Sequence, residues 1–365
     1  MKKIYYITAV FATLFLVGCG DGIDLPGVNV ETDLNKIPLP DNNVNLEQVE
    51  LKPSTEPMLH EGLHTEEDFQ RIRDKKAAGE EPWVSAYQLL VESQFSQKTA
   101  DTYPTEWIKR GVSGDENYMN AARGATIVYQ QALRWKIEQD DEYAAKAVEN
   151  LNKWVQTCVG VTGNTNLSLA AGLYGYEFAI AGELLRDYGG WDRADFAAFQ
   201  NWLLKVFYPA NDDFLKRHHD TNALHYWANW CLCNIAAKMA IGIVTDRRDI
   251  YNEGIAHLQT GDTNGRLRRA IYHDYAPDYN FAQWQESGHG QGHTLMCVGL
   301  MGIICQLAWS QGDDFFAYDD NLFLRACEYA ACCNYTNETV PYTTYIWQKQ
   351  SQWGYPIPEE QTTLG

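Results

Sequence analysis

The chain has 365 residues, of which 45% are hydrophobic, 13% are aromatic and 21% are charged. This composition is too apolar and too aromatic for a disordered protein, and the length suffices for one large domain or two smaller ones. With 29 Lys and Arg against 48 Asp and Glu, the formal net charge is −19, which disfavours nucleic acid and acidic membranes as partners. An anionic polymer would have to find its positive charge locally, in one groove.

The first residues predict export from the cytoplasm. Lysines at positions 2 and 3 precede an apolar run from Ile4 to Val17, which is too short for a stable transmembrane helix. Gly18 followed by Cys19 is similar to a bacterial lipoprotein signal, in which the cysteine is lipidated and becomes the mature N-terminus. We predict a signal peptide at residues 1–18 and a membrane attachment only through a lipid on Cys19. The predicted location is the periplasm or the outer-membrane surface of a Gram-negative bacterium, and an ordinary signal peptide is the alternative.

Hydrophobic periodicity predicts a helical domain at residues 59–365, after a flexible tether at residues 19–58 that is rich in Asp, Asn, Pro and Val. Thr65 begins a capping box, and Pro82 opens the next helix. Further helices are predicted at 117–139, 142–158, 167–186, 193–207, 221–244, 291–311 and 319–333. No sustained period-2 pattern predicts a strand. Because successive helices with short links pack antiparallel, this order favours an all-α fold, an (α/α) toroid or incomplete toroid of helix pairs.

The eight cysteines beyond Cys19 do not form a metal-binding pattern. There is no CxxC pair, and the spacings of Cys231 with Cys233 and of Cys332 with Cys333 are poor for zinc. Most of the eight lie among Ala, Leu and Ile, where cysteine behaves as a small hydrophobic residue. We therefore predict reduced core cysteines and neither a metal nor a cofactor.

A first polar stripe interrupts the predicted helix at 221–244. Asn222, His225 and Asn229 are spaced i, i+3 and i+7, which places them on one helical face among large aromatic residues. A histidine in such surroundings is usually structural. The asparagines beside it, however, offer neutral donors next to a titratable base, and this pattern favours a functional site.

A second polar stripe begins at Gln285, where Glu286, His289 and His293 have the same helical spacing. His289 and His293 also form an i, i+4 pair of the kind that binds zinc. Gly290 stands where a zinc protease motif has its glutamate, so protease chemistry is not supported. The alternative is a helix N-terminal turn whose polar groups satisfy neighbouring loops.

Two further regions offer binding residues. Asn166 ends the turn 163–166 at the start of a predicted helix, where a simple capping role is the alternative. The stretch from Arg266 to Tyr279 is rich in basic residues and tyrosines, among them Arg268 and Arg269. In so acidic a chain, this stretch is the best candidate for meeting a carboxylated polymer.

Several of these stretches are similar to a known family. They are Leu59-His60-Glu61-Gly62-Leu63, Glu67-Asp68-Phe69 with Pro82-Trp83, Ala228-Asn229-Trp230 with residues 239–242, and above all Gln285-Glu286-Ser287-Gly288 through residues 291–294 to 308–314. The chain resembles the alginate lyase family of helical-toroid polysaccharide lyases from about Leu59 to Trp347. The resemblance implies a toroid whose groove cleaves a uronate polymer by β-elimination without a metal. Relatives usually continue with helical sequence beyond the position of Gly365.

The resemblance also implies roles for particular residues. His225 is expected to be the base or the neutralising partner, and Tyr275 or Tyr279 the general acid. The remaining expected substrate-binding residues are Asn166, Asn222, Arg268, Arg269, Glu286, His289 and His293. Relatives commonly have Arg where His289 stands, so Arg268 or Arg269 would have to supply that positive charge.

Two other classes of protein stay open at this point. A glycoside hydrolase on a similar toroid would need two facing carboxylates, and Glu177, Glu286 and Asp220 are available without a spacing that selects a pair. A non-catalytic glycan-binding lipoprotein could keep the fold without the reaction. The predicted partner in every case is a polysaccharide or oligosaccharide, with an anionic one expected for the lyase.

Overall fold

A computed structural model describes residues 55–336, 339–350 and 356–365 of the chain. The predicted signal peptide, the lipidation site Cys19 and the tether up to residue 54 lie outside these residues. The described chain divides into two compact units. The N-terminal unit contains residues up to 213 and residues 236–253, and the C-terminal unit contains residues 214–235 and 254–365.

The N-terminal unit is mainly helical, and its long helix α3 packs against both α4 and α5. Short 3-10 turns aside, the elements up to residue 217 are α1 Glu66–Ala77, α2 Trp83–Glu92, β1 Trp107–Arg110, α3 Tyr118–Glu138, α4 Asp141–Thr157, β2 Gly160–Gly163, α5 Leu167–Leu185, α6 Arg193–Val206 and α7 Tyr208–Arg217. Helix α5 is apolar around almost its whole circumference and is accordingly buried along its length.

Local capping fixes where these helices begin. The hydroxyl of Thr65 accepts from the backbone N–H of Asp68, whose carboxylate accepts from the Thr65 N–H, so the predicted capping box is confirmed. Asp140 and Asp192 cap α4 and α6 in the same way, through backbone N–H groups of their first turns. The predicted bounds of α3, α4, α5 and α6 agree with the structure to within about two residues, because caps and hydrophobic period are both local signals.

The C-terminal unit mixes helices with short strands. From residue 218 onward the chain forms α8 Ala228–Val244, α9 Arg248–Thr260, α10 Leu267–Ala270, β3 Ile271–Asp274, β4 Ala282–Trp284, α11 Gln291–Ser310, α12 Tyr318–Tyr335, β5 Tyr345–Gln350 and β6 Pro356–Gln361. The chain passes from one unit to the other within α7, within α8 and within α9. Strands β3 and β4 contact α12.

The expectation of no strands was wrong, since the described chain contains three two-stranded sheets. Strands β1 and β2 are parallel, with Arg110 opposite Gly163 at their ends. The other two sheets are antiparallel, β3 with β4 and β5 with β6, and in the last of these Gln350 pairs with Pro356. The strands have three to six residues each, which gives a period-2 pattern too few repeats to stand out.

The predicted helix at 221–244 begins seven residues late, at Ala228. In the preceding loop 221–227, the side-chain oxygen of Asn222 accepts from the Leu224 N–H at 2.9 Å. The amide of Asn264 donates to the carbonyl oxygens of Leu224 and Tyr226. These side-chain bonds give the backbone an alternative to the helix, so Asn222 and His225 do not lie on a helical face with Asn229.

The apolar helices and the cysteines belong to the core. Among the described residues, α11 is long and apolar enough to cross a membrane, but most of it is buried inside the protein, as in a core helix. None of the eight cysteines in the described part of the chain forms a disulfide bond, and every one except Cys327 is buried. Burial raises the pKa of the Cys158 thiol to about 11, which keeps it protonated.

Candidate active site

Strand β5 holds the loop 221–227 in place through hydrogen bonds to Asn222 and His225. Asn222 donates its backbone N–H to Gln350 Oε1 at 2.5 Å and its side-chain amide to the Gln348 carbonyl at 3.0 Å. Trp347 Nε1 donates to the carbonyl oxygen of His225 at 2.8 Å. The backbone N–H of Gln350 donates to His225 Nδ1 at 2.7 Å. The position of His225 is therefore set by a segment more than 100 residues away in sequence.

The bond from Gln350 determines the tautomer of His225. Because Nδ1 accepts a hydrogen bond, a neutral His225 carries its proton on Nε2 and is a donor there. Burial, followed by the positive charge of Lys349, lowers the pKa of His225, so the ring is neutral near pH 7. Of the two roles expected for His225, this arrangement favours the neutralising donor over the base.

Asn222 has little hydrogen-bonding capacity left for a substrate. Its amide nitrogen donates to Gln348 and, at 3.3 Å, to Gln350, while its oxygen accepts from Leu224. The structure therefore gives Asn222 the task of shaping the loop. The expectation that it binds the carboxylate is not supported by these contacts.

His225 lies at one end of a row of five aromatic rings, which we call the ring column. The ring centroids of His225 and Trp347 are 6.1 Å apart, and those of Trp347 and Trp227 are 4.3 Å apart. Trp227 stacks in turn on His289 at 4.3 Å, and His289 lies 4.4 Å from His293. The structure thus brings together three histidines that the sequence had placed in two separate stripes.

His289 and His293 are uncharged near neutral pH. Burial, and secondarily the neighbouring His293, lowers the pKa of His289 to about 4, and burial lowers that of His293. The ring nitrogens of His289 and His293 have no hydrogen-bond partner within the part of the chain that the structure describes, so their lone pairs are available. No group of three His, Cys, Asp or Glu side chains among the described residues could hold a metal ion.

Glu286 caps a helix, as in the alternative of a turn whose polar groups satisfy neighbouring segments, and its contacts do not support the expected binding of substrate. It is fully buried, and its Oε1 accepts from the backbone N–H of Asn229 at 3.0 Å. Gln285 accepts similarly from Ala228, so both side chains satisfy the first turn of α8. Burial raises the pKa of Glu286 to about 8, and its Oε2 has no partner among the described residues. The turn 285–290 precedes α11, so Glu286 is not on a helical face with the two histidines.

The two tyrosines predicted as the general acid have different surroundings. The hydroxyl of Tyr275 donates to Gln283 Oε1 at 2.5 Å and lies 3.1 Å from the Thr343 hydroxyl. Its ring packs against the core cluster of Tyr329, Cys332, Cys333 and Val340, which indicates a structural role. Tyr279 is 53% exposed and lies 6.5 Å from the Tyr275 ring, so it stays a candidate.

Sequence analysis did not select Tyr272, whose surroundings resemble those of a functional group. Its ring packs with Trp347 against the cluster of Trp227, Tyr342 and Tyr345. Its hydroxyl is buried without a hydrogen-bond partner in the described chain, and burial raises its pKa. The sequence showed only one tyrosine among several in the stretch 266–279, and nothing local distinguished it.

Arg268 and Arg269 do not form the expected open clamp. The guanidinium of Arg268 is paired with Asp319, and Arg269 donates to the carbonyl oxygen of Asp262. Both arginines lie on the four-residue helix α10. The charge of Arg268 is paired within the protein, which does not support a substrate-binding role for it. Arg269 donates only to a backbone carbonyl, so its substrate-binding role stays a prediction.

In the N-terminal unit, Asn166 lies in a tight turn that follows β2. Asn164 Oδ1 accepts both from the backbone N–H and from the side-chain amide of Asn166, each at 2.9 Å. The capping alternative for Asn166 does not hold, since its side chain makes no capping bond to α5. The side-chain oxygen of Asn166 and the second hydrogen of its side-chain amide are left for other partners.

Arg110, opposite this turn at the end of β1, is the second residue that sequence analysis missed. Its side chain is only 6% exposed, and its guanidinium lies 4.7 Å from the ring centroid of Tyr118. It has no carboxylate or hydrogen-bond partner among the described residues, and its Nη1 atom is enclosed. A buried cation without an anion is costly, so this arrangement is typical of an anion-binding position.

The comparison of the sequence with family models gives one match, to the family described as alginate lyase, over residues 72–338. The chain belongs to the alginate lyase family. It is a polysaccharide lyase whose substrate is an anionic polysaccharide or oligosaccharide, as the motif at 285–294 predicted. Curated protein sequences give no significant match.

Solved alginate lyases have the same fold as this family member. Alginate lyase A1-III from Sphingomonas species A1 matches with a TM-score of 0.52 at 13% identity, over 75% of this chain and 78% of that one. A histidine-to-alanine variant of A1-III complexed with a tetrasaccharide matches with a TM-score of 0.57 at 14% identity, over 78% and 82%. An alginate lyase from Bacteroides ovatus gives 0.52 at 14%, over 74% and 82%. The predicted all-α fold class, the (α/α) toroid, is confirmed.

Proposed function

We propose that the lyase reaction takes place beside the ring column and that its substrate is alginate or a related polyuronate. The observation that supports this site is the hydrogen bond from the Gln350 N–H to His225 Nδ1, which leaves Nε2–H as a fixed neutral donor. β-Elimination removes the C5 proton of a uronate, and negative charge then develops on the neighbouring carboxylate. A donor fixed before the reaction stabilises that charge without reorganisation.

His289 and His293, at the other end of the column, bind a neighbouring sugar in this proposal, because the C5 proton and the carboxylate of one sugar are on adjacent atoms and both lie beside His225. Both rings are neutral near pH 7 and have no hydrogen-bond partner among the described residues, so they can accept from sugar hydroxyls. The base that takes the C5 proton has to lie close to His225 as well. Tyr272, with its unpartnered hydroxyl and raised pKa, and the exposed Tyr279 are the candidates for the acid that protonates the O4 leaving group.

Arg110 fits the same class of substrate from within the N-terminal unit. A guanidinium binds a carboxylate through two parallel hydrogen bonds, and Arg110 has no such partner among the described residues. A polyuronate carries one carboxylate on every sugar, so one polymer can bind more than one positively charged side chain. We therefore assign Arg110 and Asn166 to carboxylate binding in their own unit.

The experiment that tests the proposal is incubation of the wild-type protein with alginate and, separately, with glucuronan. Elimination creates an unsaturated uronate that absorbs near 235 nm and also a new reducing end. A hydrolase would release reducing ends without the absorbance, and a binding protein would produce neither. Absorbance with either polymer supports the proposal, and reducing ends without absorbance would contradict it.

We also propose that the protein is an exported lipoprotein anchored through Cys19 in the periplasm or at the outer-membrane surface. The support is the sequence alone: a short apolar run after two lysines, followed by Gly18 and Cys19. Expression with radiolabelled palmitate tests it. We expect a labelled band that disappears in Cys19→Ser, and an unlabelled wild-type protein would contradict the anchor.

A further inference from the structure

Lys349 brings a positive charge to the ring column. It follows Trp347 by two residues on β5, so both side chains lie on the same face of the strand. Its Nζ atom is 5.2 Å from the Trp347 ring centroid, and the Trp347 ring is 6.1 Å from that of His225. The ammonium is close enough to His225 to lower the pKa of that histidine.

The charge of Lys349 is held only weakly by the protein. Its ion-pair partner is Glu359 on β6, at a nitrogen-to-oxygen distance of 3.4 Å. The two side chains are 41% and 49% exposed, and an exposed pair of this kind contributes about 0–1 kcal/mol. Arg268 is, by contrast, ion-paired with Asp319. Lys349 is thus a weakly paired cation beside His225, and an arriving carboxylate can replace Glu359 as its partner.

We propose that Lys349 is a specificity-determining residue that binds the carboxylate of a uronic acid sugar at the ring column. This rests on the proposed function for the placement of the sugar. The ammonium carries three N–H donors at the end of a flexible side chain, so it can adjust its position to a bound carboxylate. The Nε2–H of His225 is fixed and cannot do so. Lys349 would select acidic sugars over neutral ones, and His225 would act on the charge that develops during the reaction.

Glu359 gives the proposal a second consequence with the opposite sign. Its carboxylate competes with the substrate carboxylate for the same ammonium. Glu359→Gln removes this competition and keeps the shape of the side chain. We expect Glu359→Gln to bind an oligouronate about two- to threefold more tightly than the wild type, whereas Lys349→Met should bind it more weakly.

The test is calorimetric binding of a saturated tetramannuronate in a His225→Ala background, which serves as the wild type at Lys349 and in which cleavage is too slow to compete with binding. We expect Lys349→Met to weaken binding about five- to tenfold, which corresponds to the loss of one charge-assisted contact. Lys75→Met is the matched control, because Lys75 is 39% exposed and pairs with a 49% exposed Glu80 in the N-terminal unit. A tetramannuronate whose carboxyl groups have been reduced to alcohols should bind both lysine variants equally.

The outcomes separate this inference from the proposed function. Weaker binding by Lys349→Met together with unchanged binding by Lys75→Met supports a carboxylate contact, even if the wild type yields no product absorbing at 235 nm. Binding by Lys349→Met within twofold of the wild type would overturn the inference, even if the protein proves to be an active lyase. An equal loss with the reduced, uncharged sugar would also overturn it, because charge recognition would then not be the cause.

Discussion

The two units each contain an asparagine turn, and the two turns leave different polar groups unsatisfied. Asn222 accepts from the Leu224 N–H two residues on, and Asn164 accepts from the Asn166 N–H in the same pattern. Strand β5 bonds to the backbone and side-chain N–H groups of Asn222 and to Nδ1 of His225, and Nε2 of His225 is left as a donor. The second turn lies opposite Arg110, whose charge has no partner within the described chain.

This difference shows two ways in which a protein can prepare for an anionic substrate. Around Asn222, satisfied hydrogen bonds fix the direction of one neutral donor, which suits charge that develops only during a reaction. Around Asn164, a permanent positive charge is left open, which suits a carboxylate that is charged before and after the reaction. We therefore expect substitutions in the first region to change kcat and those in the second to change KM.

The largest effect is expected from His225→Ala. Loss of the fixed donor should reduce the rate of 235-nm product formation about 10²- to 10³-fold, the range found for single donors of this kind. The helical circular dichroism should stay the same, since the ring of His225 is only half-buried.

The variant His225→Gln distinguishes the two possible roles of His225, hydrogen-bond donor and general base. A glutamine amide can donate but cannot take up the C5 proton, so it should recover part of the lost rate if His225 is a donor. A rate as low as that of His225→Ala would contradict the donor role. His60→Gln, at a histidine that is 54% exposed in the N-terminal unit, is the control and should leave the rate unchanged.

The second prediction contrasts two buried arginines. Arg325 is also 6% exposed, but its guanidinium donates to Asp274 at 2.6 Å and to Asp320 at 3.1 Å. Arg325→Met should lower the free energy of unfolding by about 3 kcal/mol, because it leaves a carboxylate unpaired. Arg110→Met should stay within about 1 kcal/mol of the wild type and should raise KM roughly tenfold. Denaturant unfolding and steady-state kinetics measure the two effects, and an equal destabilisation by both variants would contradict the assignment of Arg110.

The third prediction concerns one buried acid in each unit. Burial raises the pKa of Glu286 in the C-terminal unit and of Glu177 in the N-terminal unit to about 8 each. Since both pKa values lie above those of an unfolded glutamate, the folded state binds more protons between about pH 4.5 and pH 8. The free energy of unfolding should therefore fall as the pH rises through this window, by up to about 1.4 kcal/mol per pH unit for each group.

Glutamine variants test this pH dependence. Glu286→Gln and Glu177→Gln should each make the loss of unfolding free energy between pH 6 and pH 8 smaller, because an amide does not ionise. The exposed Glu67→Gln is the control and should follow the wild-type curve. If either buried variant loses as much stability as the wild type over this range, that carboxyl is already ionised in the folded protein.

The smallest effect is expected from Gln350→Ala. The variant removes the side-chain oxygen that accepts from the Asn222 N–H, but it keeps the backbone N–H that donates to His225. We expect a loss of about 1 kcal/mol in unfolding free energy and a decrease of only a few-fold in rate. A loss of rate as large as that of His225→Ala would show that the side chain, and not the backbone bond, positions the histidine.

How far the sequence predicted the site depended on how local each signal was. The asparagine and histidine stripes were predicted on helical faces, but Asn222 and His225 lie in a loop that is stabilised by hydrogen bonds from Asn264 and β5. Glu286 was predicted to bind substrate because its helical spacing matched that of His289, but its carboxylate caps α8. Tyr272 and Arg110 could not be selected, because a missing partner is a property of the surroundings and not of the residue.

The sequence by itself determined the helical class, the bounds of most helices and membership of the alginate lyase family, because periodicity, caps and motifs are read from neighbouring residues. The tertiary structure decided which hydrogen-bonding groups are already used. It joined His225 to residues 347–350, buried Glu286 and left Arg110 without a partner among the described residues. The physical reason is that the charge and proton position of a side chain depend on burial and on partners, which the folded chain brings from distant positions.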